Sequence, residues 1–161
     1  MKIFFRVPAH SQPKRKNIFI SAWQFMIKIS KKAQYGLRAM VFLARRSLGG
    51  GGLAKTKPVS VKLISEKEGI PFEFLEKIIS QLEKAGLVAG KKGVLGGYIL
   101  SKSPKKINAN DVVYVLEENK KTVDCSFCGR KTKCLTKNVW SKVNLALNKT
   151  LKEITLESLV K

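Results

Sequence analysis

The sequence contains few acidic residues and almost no histidine. Asp and Glu number 11 against 32 Lys and Arg, which gives a formal net charge of +21, and His10 is the single histidine. No apolar run is long enough to cross a membrane. A large positive charge indicates a polyanionic partner. We expect nucleic acid and no membrane, because the basic residues are spread along the chain and are not concentrated on one amphipathic helix.

The scarcity of histidine argues against an enzyme. A thiol catalyst needs a base such as histidine close by, whereas His10 lies in a polar N-terminal stretch. The glycine-rich stretch KKGVLGG precedes a strand pattern, while a nucleotide-binding loop opens a helix. We therefore predict no catalytic residue and no small-molecule substrate.

Cysteine is also scarce, and the three cysteines, Cys125, Cys128 and Cys134, lie in one stretch, CSFCGRKTKC. Thiolates this close in sequence can bind zinc or an iron-sulfur cluster with little loop-closure entropy. Neighbouring cations, among them Arg130 and Lys133, favour the thiolate over the thiol. An odd number of cysteines argues against a disulfide framework, and nothing resembles a cleaved secretory signal. A reducing cytoplasm is the expected compartment.

Three cysteines are one ligand short of a complete metal site. The alternatives for the fourth ligand are a carboxylate from Glu117, Glu118 or Asp124, a residue of another subunit, a small-molecule thiol, or water. An incomplete protein shell leaves a cluster open to oxidants or nitric oxide, which suits a sensor better than a structural site.

Residues 1–25 differ in composition from the rest of the chain. They hold five basic residues, no acidic residue and two prolines, and they show no sustained helical period. We predict that this segment lies outside the fold, as an upstream extension, a misassigned start before Met26, or a targeting peptide. Mass spectrometry of the native N-terminus distinguishes these alternatives.

Residues 26–118 carry the pattern of a winged helix-turn-helix domain. A chain of 161 residues is large enough for one such domain and an appended dimerisation element. N-caps, apolar spacing and glycine stops predict helices over 30–49, 60–68 and 72–85, with stops at Gly69 and Gly86. A short helix, a glycine-containing turn and a second helix are typical of a helix-turn-helix.

A β wing and a further helix are predicted to complete this domain. Two short strands, 87–89 and 98–100, are joined by GKKGVLGG. The glycines let the main chain approach a phosphate backbone closely, and Lys91 and Lys92 supply positive charge. A helix over 107–118, capped by Asn108 or Asn110, is expected to pack against the winged domain.

The C-terminal part of the chain is predicted to form a cysteine-rich cluster-binding loop, 119–136, and a dimerisation helix and C-terminal turn, 137–161. Thr155 to Val160 are expected to add a final helical turn or two. An apolar stripe that suits pairing with an equivalent helix is formed by Trp140, Val143, Leu147, Leu151 and Ile154. The alternative is an amphipathic helix folded onto its own domain. The predicted fold class is mainly α, a winged helix-turn-helix with a small wing.

Four segments of the sequence match a known family in order. They are ISKKAQYGLRAM (29–40), EGIPFEFLEKIISQLEKAGLV (68–88), KKGVLGGYIL (91–100) and CLTKNVW (134–140). Together they resemble the Rrf-type winged helix-turn-helix transcriptional regulators of bacteria, the family of the iron-sulfur regulator IscR and the nitric oxide sensor NsrR. The resemblance implies a homodimeric transcription factor, here a repressor that binds operator DNA. It implies a [2Fe-2S] or, as in some members, a [4Fe-4S] cluster on Cys125, Cys128 and Cys134.

The candidate DNA contacts come from the helix-turn-helix and the wing. They are Ser60, Pro71, Glu73, Phe74, Lys77, Gln81, Lys91 and Lys92. By the resemblance, residues 71–81 face the DNA, and the two wing lysines lie near the minor groove. Glu73 can accept a hydrogen bond from cytosine, and Gln81 can pair with adenine. For Lys77 and Gln81 the alternative is a solvated helix face.

The chain departs from the family pattern where relatives place a fourth ligand. Lys137 stands at the position of a histidine, and Gln34, before Tyr35, at the position of a carboxylate. The gap between Cys125 and Cys128 is also shorter than usual. Cluster type, fourth ligand and signal therefore stay open, and zinc is an alternative metal. The alternative function is a zinc-stabilised basic RNA-binding or ribosome-associated protein.

Overall fold

The computed structural model describes residues 28–49, 56–93, 95–118, 123, 128–129 and 133–160. The predicted extension 1–25 and Cys125 lie outside these residues. The elements are α1 Lys31–Gly49, α2 Val61–Glu68, α3 Phe72–Lys84, β1 Val88–Lys91, β2 Gly97–Leu100, a 3₁₀ turn Pro104–Lys106, α4 Ala109–Leu116 and α5 Lys137–Glu153. Helices dominate, and the two strands form one antiparallel sheet. The predicted fold class is confirmed.

Helix α1 begins at the predicted cap and packs closely on α4. Ser30 Oγ accepts a hydrogen bond from the Ala33 N–H at 3.1 Å, which satisfies a donor of the first turn. A Cβ added to Gly36 would collide with the side chain of Leu116 on α4. The absence of a side chain at Gly36 therefore allows the two helices to approach.

The helix-turn-helix also follows the sequence prediction. The Ser60 side chain accepts a hydrogen bond from the Leu63 N–H at the start of α2, and Gly69 ends that helix with a left-handed φ of 60°. The Ser65 hydroxyl donates to the Ile70 carbonyl at 2.6 Å across the turn. Helix α3 follows and buries one face, formed by Leu75, Ile78, Ile79 and Leu82. Gly86, with φ 69°, lies just beyond its end, as predicted.

The wing is fastened at its base to the residue before the α2 cap. In the β1–β2 pairing Gly90 lies opposite Tyr98. Tyr98 in turn exchanges two backbone hydrogen bonds with Val59, at 3.0 and 2.8 Å. A Cβ on Gly97 would overlap the Val59 backbone and lie 2.8 Å from the Ser60 nitrogen. Only glycine fits there, and the wing is thereby held against the start of α2.

Helix α4 is shorter than the predicted 107–118 because the chain at its start is extended. Asn108 is the N-cap and forms a capping box with Asp111, with bonds of 3.0 and 3.1 Å. The Ala109 N–H donates to the Ile154 carbonyl at 2.8 Å. The start of α4 is therefore tied to the segment that follows α5.

The prediction that Thr155 to Val160 add a final helical turn or two is wrong at Thr155, whereas residues 156–160 do form turns. Thr155 forms an isolated antiparallel bridge with Asn108, so its backbone is extended and α5 ends at Glu153. The Leu156 N–H donates to the Ile107 carbonyl at 2.9 Å, and the Leu156 side chain is completely buried. Side-chain burial and strand-like pairing outweigh local helix propensity here. The turns of 156–160 thus pack on the domain that contains α1 to α4.

One hydrophobic core joins these elements. Its largest buried side chains are Met40, Leu43, Ile64, Ile70, Leu75, Ile78, Ile79, Leu82, Leu100, Ile107, Leu116 and Leu156. None of them comes from α5, which has no buried residue. In the described part of the chain, every helix is too short or too polar to span a lipid bilayer.

Candidate DNA interface and cysteine segment

The outer face of α3 carries the predicted polar residues. Pro71, Glu73 and Lys77 are exposed and Gln81 is half-buried, while the opposite face of the helix is packed into the core. Ser60 is exposed at the start of α2. Four candidate DNA contacts of the helix-turn-helix are therefore exposed to solvent and are not packed into the core. They are Ser60, Pro71, Glu73 and Lys77.

Phe74 has a different environment from its neighbours. Its half-buried ring meets the Tyr35 ring edge to face, with centroids 5.9 Å apart and planes at 84°. The ring therefore joins α3 to α1. The aromatic side chain that is more open at this end of α3 is Phe72, 43% exposed, which sequence reasoning missed.

Arg38 holds the turn before α3 against α1. Its Nε lies 3.2 Å from Glu68 Oε2, and its guanidinium also donates to the Glu68 carbonyl. The same guanidinium lies over the Tyr35 ring at 5.8 Å. Arg38 was not among the predicted residues, since nothing in the sequence indicates that α1 and the end of α2 are in contact.

The wing presents two lysines and one apolar side chain. Lys91 and Lys92 are exposed, and Leu95 is 88% exposed in the loop between the strands. The loop is tight, because a Cβ on Gly96 would lie 2.5 Å from the Lys91 carbonyl oxygen. The predicted basic wing is therefore a compact hairpin with its charges in solvent.

Glu83, in the last turn of α3, contacts the base of the wing. Its Oε1 accepts a hydrogen bond from the Gly90 N–H at 3.1 Å. Burial raises the pKa of Tyr98, and the charge of Glu83 and a hydrogen bond from the phenol to Glu83 raise it further. The sequence analysis missed Glu83, because a glutamate near the end of an amphipathic helix is usually a solvated residue.

Two of the three cysteines lie in the described residues. Cys128 is exposed and Cys134 is half-buried. Cys134 Sγ lies 3.3 Å from Thr136 Oγ1, and hydrogen bonds from Thr136 lower the pKa of the thiol, with a further contribution from Lys137. Thiolate is the form that binds metals. The donor chemistry at Cys134 therefore fits a metal or cluster ligand.

A family model named Rrf2 and described as iron-dependent transcriptional regulator matches residues 29–161. The chain belongs to the Rrf2 family. It is 33% identical over 139 residues to protein rrf2 of Nitratidesulfovibrio vulgaris, covering 84% of this chain and 88% of that protein. It is 33% identical over 138 residues to the HTH-type transcriptional regulator IscR of Vibrio atlanticus, covering 84% and 76%.

Two solved structures share the Rrf2 fold with this chain. CymR, the global cysteine regulator of B. subtilis, superposes with a TM-score of 0.69 at 32% identity and covers 84% of this chain and 97% of that one. IscR of T. potens gives a TM-score of 0.65 at 36% identity, covering 83% and 86%. The predicted family and winged-helix fold are confirmed, and the family consists of transcriptional regulators, which are not enzymes.

Two of the three carboxylates considered as a fourth ligand, Glu117 and Glu118, have partners in this Rrf2 chain. Glu117 Oε1 accepts from the Ser30 N–H at 2.7 Å, and Glu118 pairs with Lys32 at 3.2 Å. Asp124 lies outside the described residues, within which no three His, Cys, Asp or Glu side chains converge on a metal-sized site. Both carboxylates thus link α1 to the beginning of the cysteine segment.

Proposed function

We propose that this Rrf2-family regulator is a homodimeric repressor that binds double-stranded operator DNA and holds an iron-sulfur cluster on Cys125, Cys128 and Cys134. The observation that carries the DNA-binding part is the outer face of α3. Its polar side chains are exposed, and the wing, whose base is bonded to the end of α3 through Glu83, carries an exposed lysine pair, on a chain with a net charge of +21.

In this proposal α3 enters the major groove and the wing contacts the DNA backbone or the minor groove. Glu73, Lys77 and Gln81 read base edges, whereas Lys91 and Lys92 neutralise phosphates. Ser60 and Pro71 lie at the starts of α2 and α3, where backbone N–H groups favour phosphate. Phe74 contributes by fixing α3 on Tyr35.

Selection of operators from random double-stranded DNA, followed by binding assays, tests this interface. Gln81→Ala should relax the preference at one base position, at a cost of about 1–3 kcal/mol. Lys91→Ala should weaken all sequences alike and reduce the slope of log affinity against log salt by about one. Lys149→Ala, on α5, removes the same charge as a control. Failure of the wild type to select any sequence would refute the proposal.

The cluster is proposed to be [2Fe-2S], with [4Fe-4S] and zinc as the alternatives. The thiolate-favouring surroundings of Cys134 and the exposure of Cys128 support these two residues as ligands. A bound cluster supplies a redox-sensitive and nitric oxide-sensitive group. The chain supplies the thiolates and the cations beside them, Lys133 and Lys137. The candidates for the fourth ligand are Glu117, Glu118 or Asp124, a residue of another subunit, a small-molecule thiol, or water; Glu117 and Glu118 would have to leave their contacts with Ser30 and Lys32.

Anaerobic purification with an absorption spectrum and iron and sulfide analysis tests the cluster. Cys128→Ala and Cys134→Ala should abolish the visible absorption, whereas Ser126→Ala, within the same stretch, should retain it. If the spectra of the two cysteine variants matched that of the wild type, these cysteines would be ruled out as ligands. Stoichiometric zinc without iron or sulfide, together with a preference for RNA over DNA, would favour the alternative of a zinc-stabilised RNA-binding protein.

Dimerisation and sensing are proposed to involve the C-terminal part of the chain. We assign residues 26–118 to DNA binding, 119–136 to cluster binding and 137–161 to dimerisation, and we place residues 1–25 outside the fold. No residue of α5 is buried, which supports a second copy as its partner.

A sensor must bind DNA differently with and without its cluster. Equal footprints for both forms would refute sensing. A cytoplasmic site of action follows from the proposed operator binding.

A further inference from the structure

Glu83 connects the DNA-facing helix to the wing through one cross-strand pair. Its carboxylate accepts from the Gly90 N–H at 3.1 Å, and Gly90 lies opposite Tyr98 in the sheet. Burial raises the pKa of the Tyr98 phenol, and the charge of Glu83 and a side-chain hydrogen bond to it raise that pKa further. One carboxylate at the end of α3 thus acts on both members of the pair.

The pair of Gly90 and Tyr98 is also bonded to the residue before the α2 cap. Tyr98 exchanges backbone hydrogen bonds with Val59, at 3.0 and 2.8 Å, and Val59 directly precedes the α2 cap, Ser60. The starting point of α2, the end of α3 and the wing base are therefore connected through Tyr98. Half of the proposed DNA contacts, Ser60, Gln81, Lys91 and Lys92, lie on or beside these three parts.

Gly90 leaves the space that the Glu83 carboxylate occupies. A Cβ on Gly90 would lie 2.8 Å from Glu83 Oε1, closer than real Cβ contacts come. Any other residue at this position would push the carboxylate away from the wing backbone. Glycine at position 90 therefore allows the close contact between Glu83 of α3 and the backbone of β1.

If only its charge mattered, Glu83 would weaken DNA binding. A carboxylate close to DNA repels phosphates, so removing it should strengthen binding of any sequence. A residue that holds the wing should instead weaken binding when it is removed, because Lys91 and Lys92 lose their fixed position. The two roles of Glu83 therefore predict changes of opposite sign.

We propose that Glu83 is a positioning residue that fixes the wing against α3, so that the wing lysines meet the DNA at a set distance from the recognition face. This inference rests on the proposed DNA-binding function. Glu83 acts through Gly90 and Tyr98 and does not itself contact the DNA.

Amide hydrogen exchange in the free protein provides the first test. In Glu83→Ala the Gly90 amide should exchange about tenfold faster, because it loses its acceptor. Glu83→Gln should stay near the wild-type rate, since its amide oxygen can accept from Gly90 and its amide nitrogen can donate to the Tyr98 oxygen. Glu66→Ala, which removes an exposed glutamate of α2, should leave the rate unchanged. An unchanged rate in Glu83→Ala would overturn the proposal.

Footprinting on operators selected by the wild type provides the second test. Glu83→Ala should lose protection at the wing and bind several-fold more weakly although a negative charge is gone, and Glu83→Gln should restore the footprint. Tighter binding of Glu83→Ala with an unchanged footprint would overturn the proposal. If the wild type selects no operator, the DNA-binding function fails, while the exchange rates still decide whether Glu83 holds the wing.

Discussion

Helices α3 and α5 have similar apolar periods in the sequence but opposite surroundings in the structure. Helix α3 buries four side chains and packs against α1, α2, α4 and β1. Helix α5 is longer, contacts mainly α4, and has no buried residue. A helical period shows that one face is apolar, but not which surface covers it. The apolar face of α3 is covered within the chain, whereas that of α5 is only partly covered.

The position of α5 is nevertheless defined at its C-terminal end. The Ile154 carbonyl accepts from the Ala109 N–H, and Leu156 is completely buried. Along the helix itself Val139, Trp140 and Leu145 are 53%, 37% and 70% exposed. The helix is thus attached to the domain after it ends, while these three side chains are exposed and Val143, Leu147 and Leu151 are half-buried.

The largest difference between the two helices should appear on truncation of one side chain in each. Ile78→Ala, in α3, should lower the free energy of unfolding by about 2–5 kcal/mol, because it leaves a cavity in the core. Leu147→Ala, in α5, should cost less than about 1 kcal/mol in dilute protein, because the site is only half-buried. Urea unfolding at low protein concentration measures both. Equal losses would show that α5 belongs to the monomer core.

The fit between α1 and α4 should give the next largest effect. Gly36→Ala should destabilise the protein by about 1–3 kcal/mol, since the new Cβ meets the Leu116 side chain. Gly49→Ala, on the same helix, is the matched control, because its Cβ meets no atom within 4 Å. Thermal unfolding of both variants checks the prediction. A Gly36→Ala protein as stable as the control would mean that α1 and α4 can separate at no cost.

Local sequence signals predicted most of the winged domain. Ser30, Ser60 and Asn108 cap their helices, and Gly69 and Gly86 adopt the positive φ expected after a helix. Each of these features depends on residues within a few positions of one another. Such signals are legible in one sequence because the hydrogen bonds they describe are local.

Contacts between distant segments could not be predicted in the same way. The bridge between Asn108 and Thr155 joins residues far apart in the chain, and it turned a predicted helical end into an extended one. Nothing in the residues next to Glu83 in sequence indicates its contact with Gly90 in the wing. The cysteine triplet is clear in sequence, but the residues that surround it in space depend on contacts between distant segments.

A change on the exposed face of α5 should affect association more than folding. Trp140→Ala should raise the dimer dissociation constant by about tenfold or more, because aromatic residues contribute strongly to interfaces. The unfolding free energy of the dilute protein should stay nearly constant. Sedimentation equilibrium across a concentration series measures the association. Lys142→Ala, also exposed on α5, is the control for a change of helix surface. A wild type that remains monomeric throughout would refute the dimer.

The smallest expected effect concerns the bond that holds the end of α3 to the wing. The pKa of Tyr98 is raised above its ordinary value of 10.0 by burial, by the charge of Glu83, by the hydrogen bond to Glu83 and by Glu76. The neutral phenol is therefore the form favoured by folding. Its contribution to stability is complete below pH 10.0 and is lost as the pH rises through the raised pKa.

Unfolding measured between pH 9 and about pH 11 isolates this contribution, since the reference tyrosine pKa is about 10. The wild type should lose more stability over this range than Tyr98→Phe, which has no phenol to ionise. Identical pH profiles for wild type and Tyr98→Phe would show that the phenol does not fasten the wing to α3. In that case the hydrogen bond from the Gly90 N–H to Glu83 would hold the wing base to the end of α3 without help from the phenol.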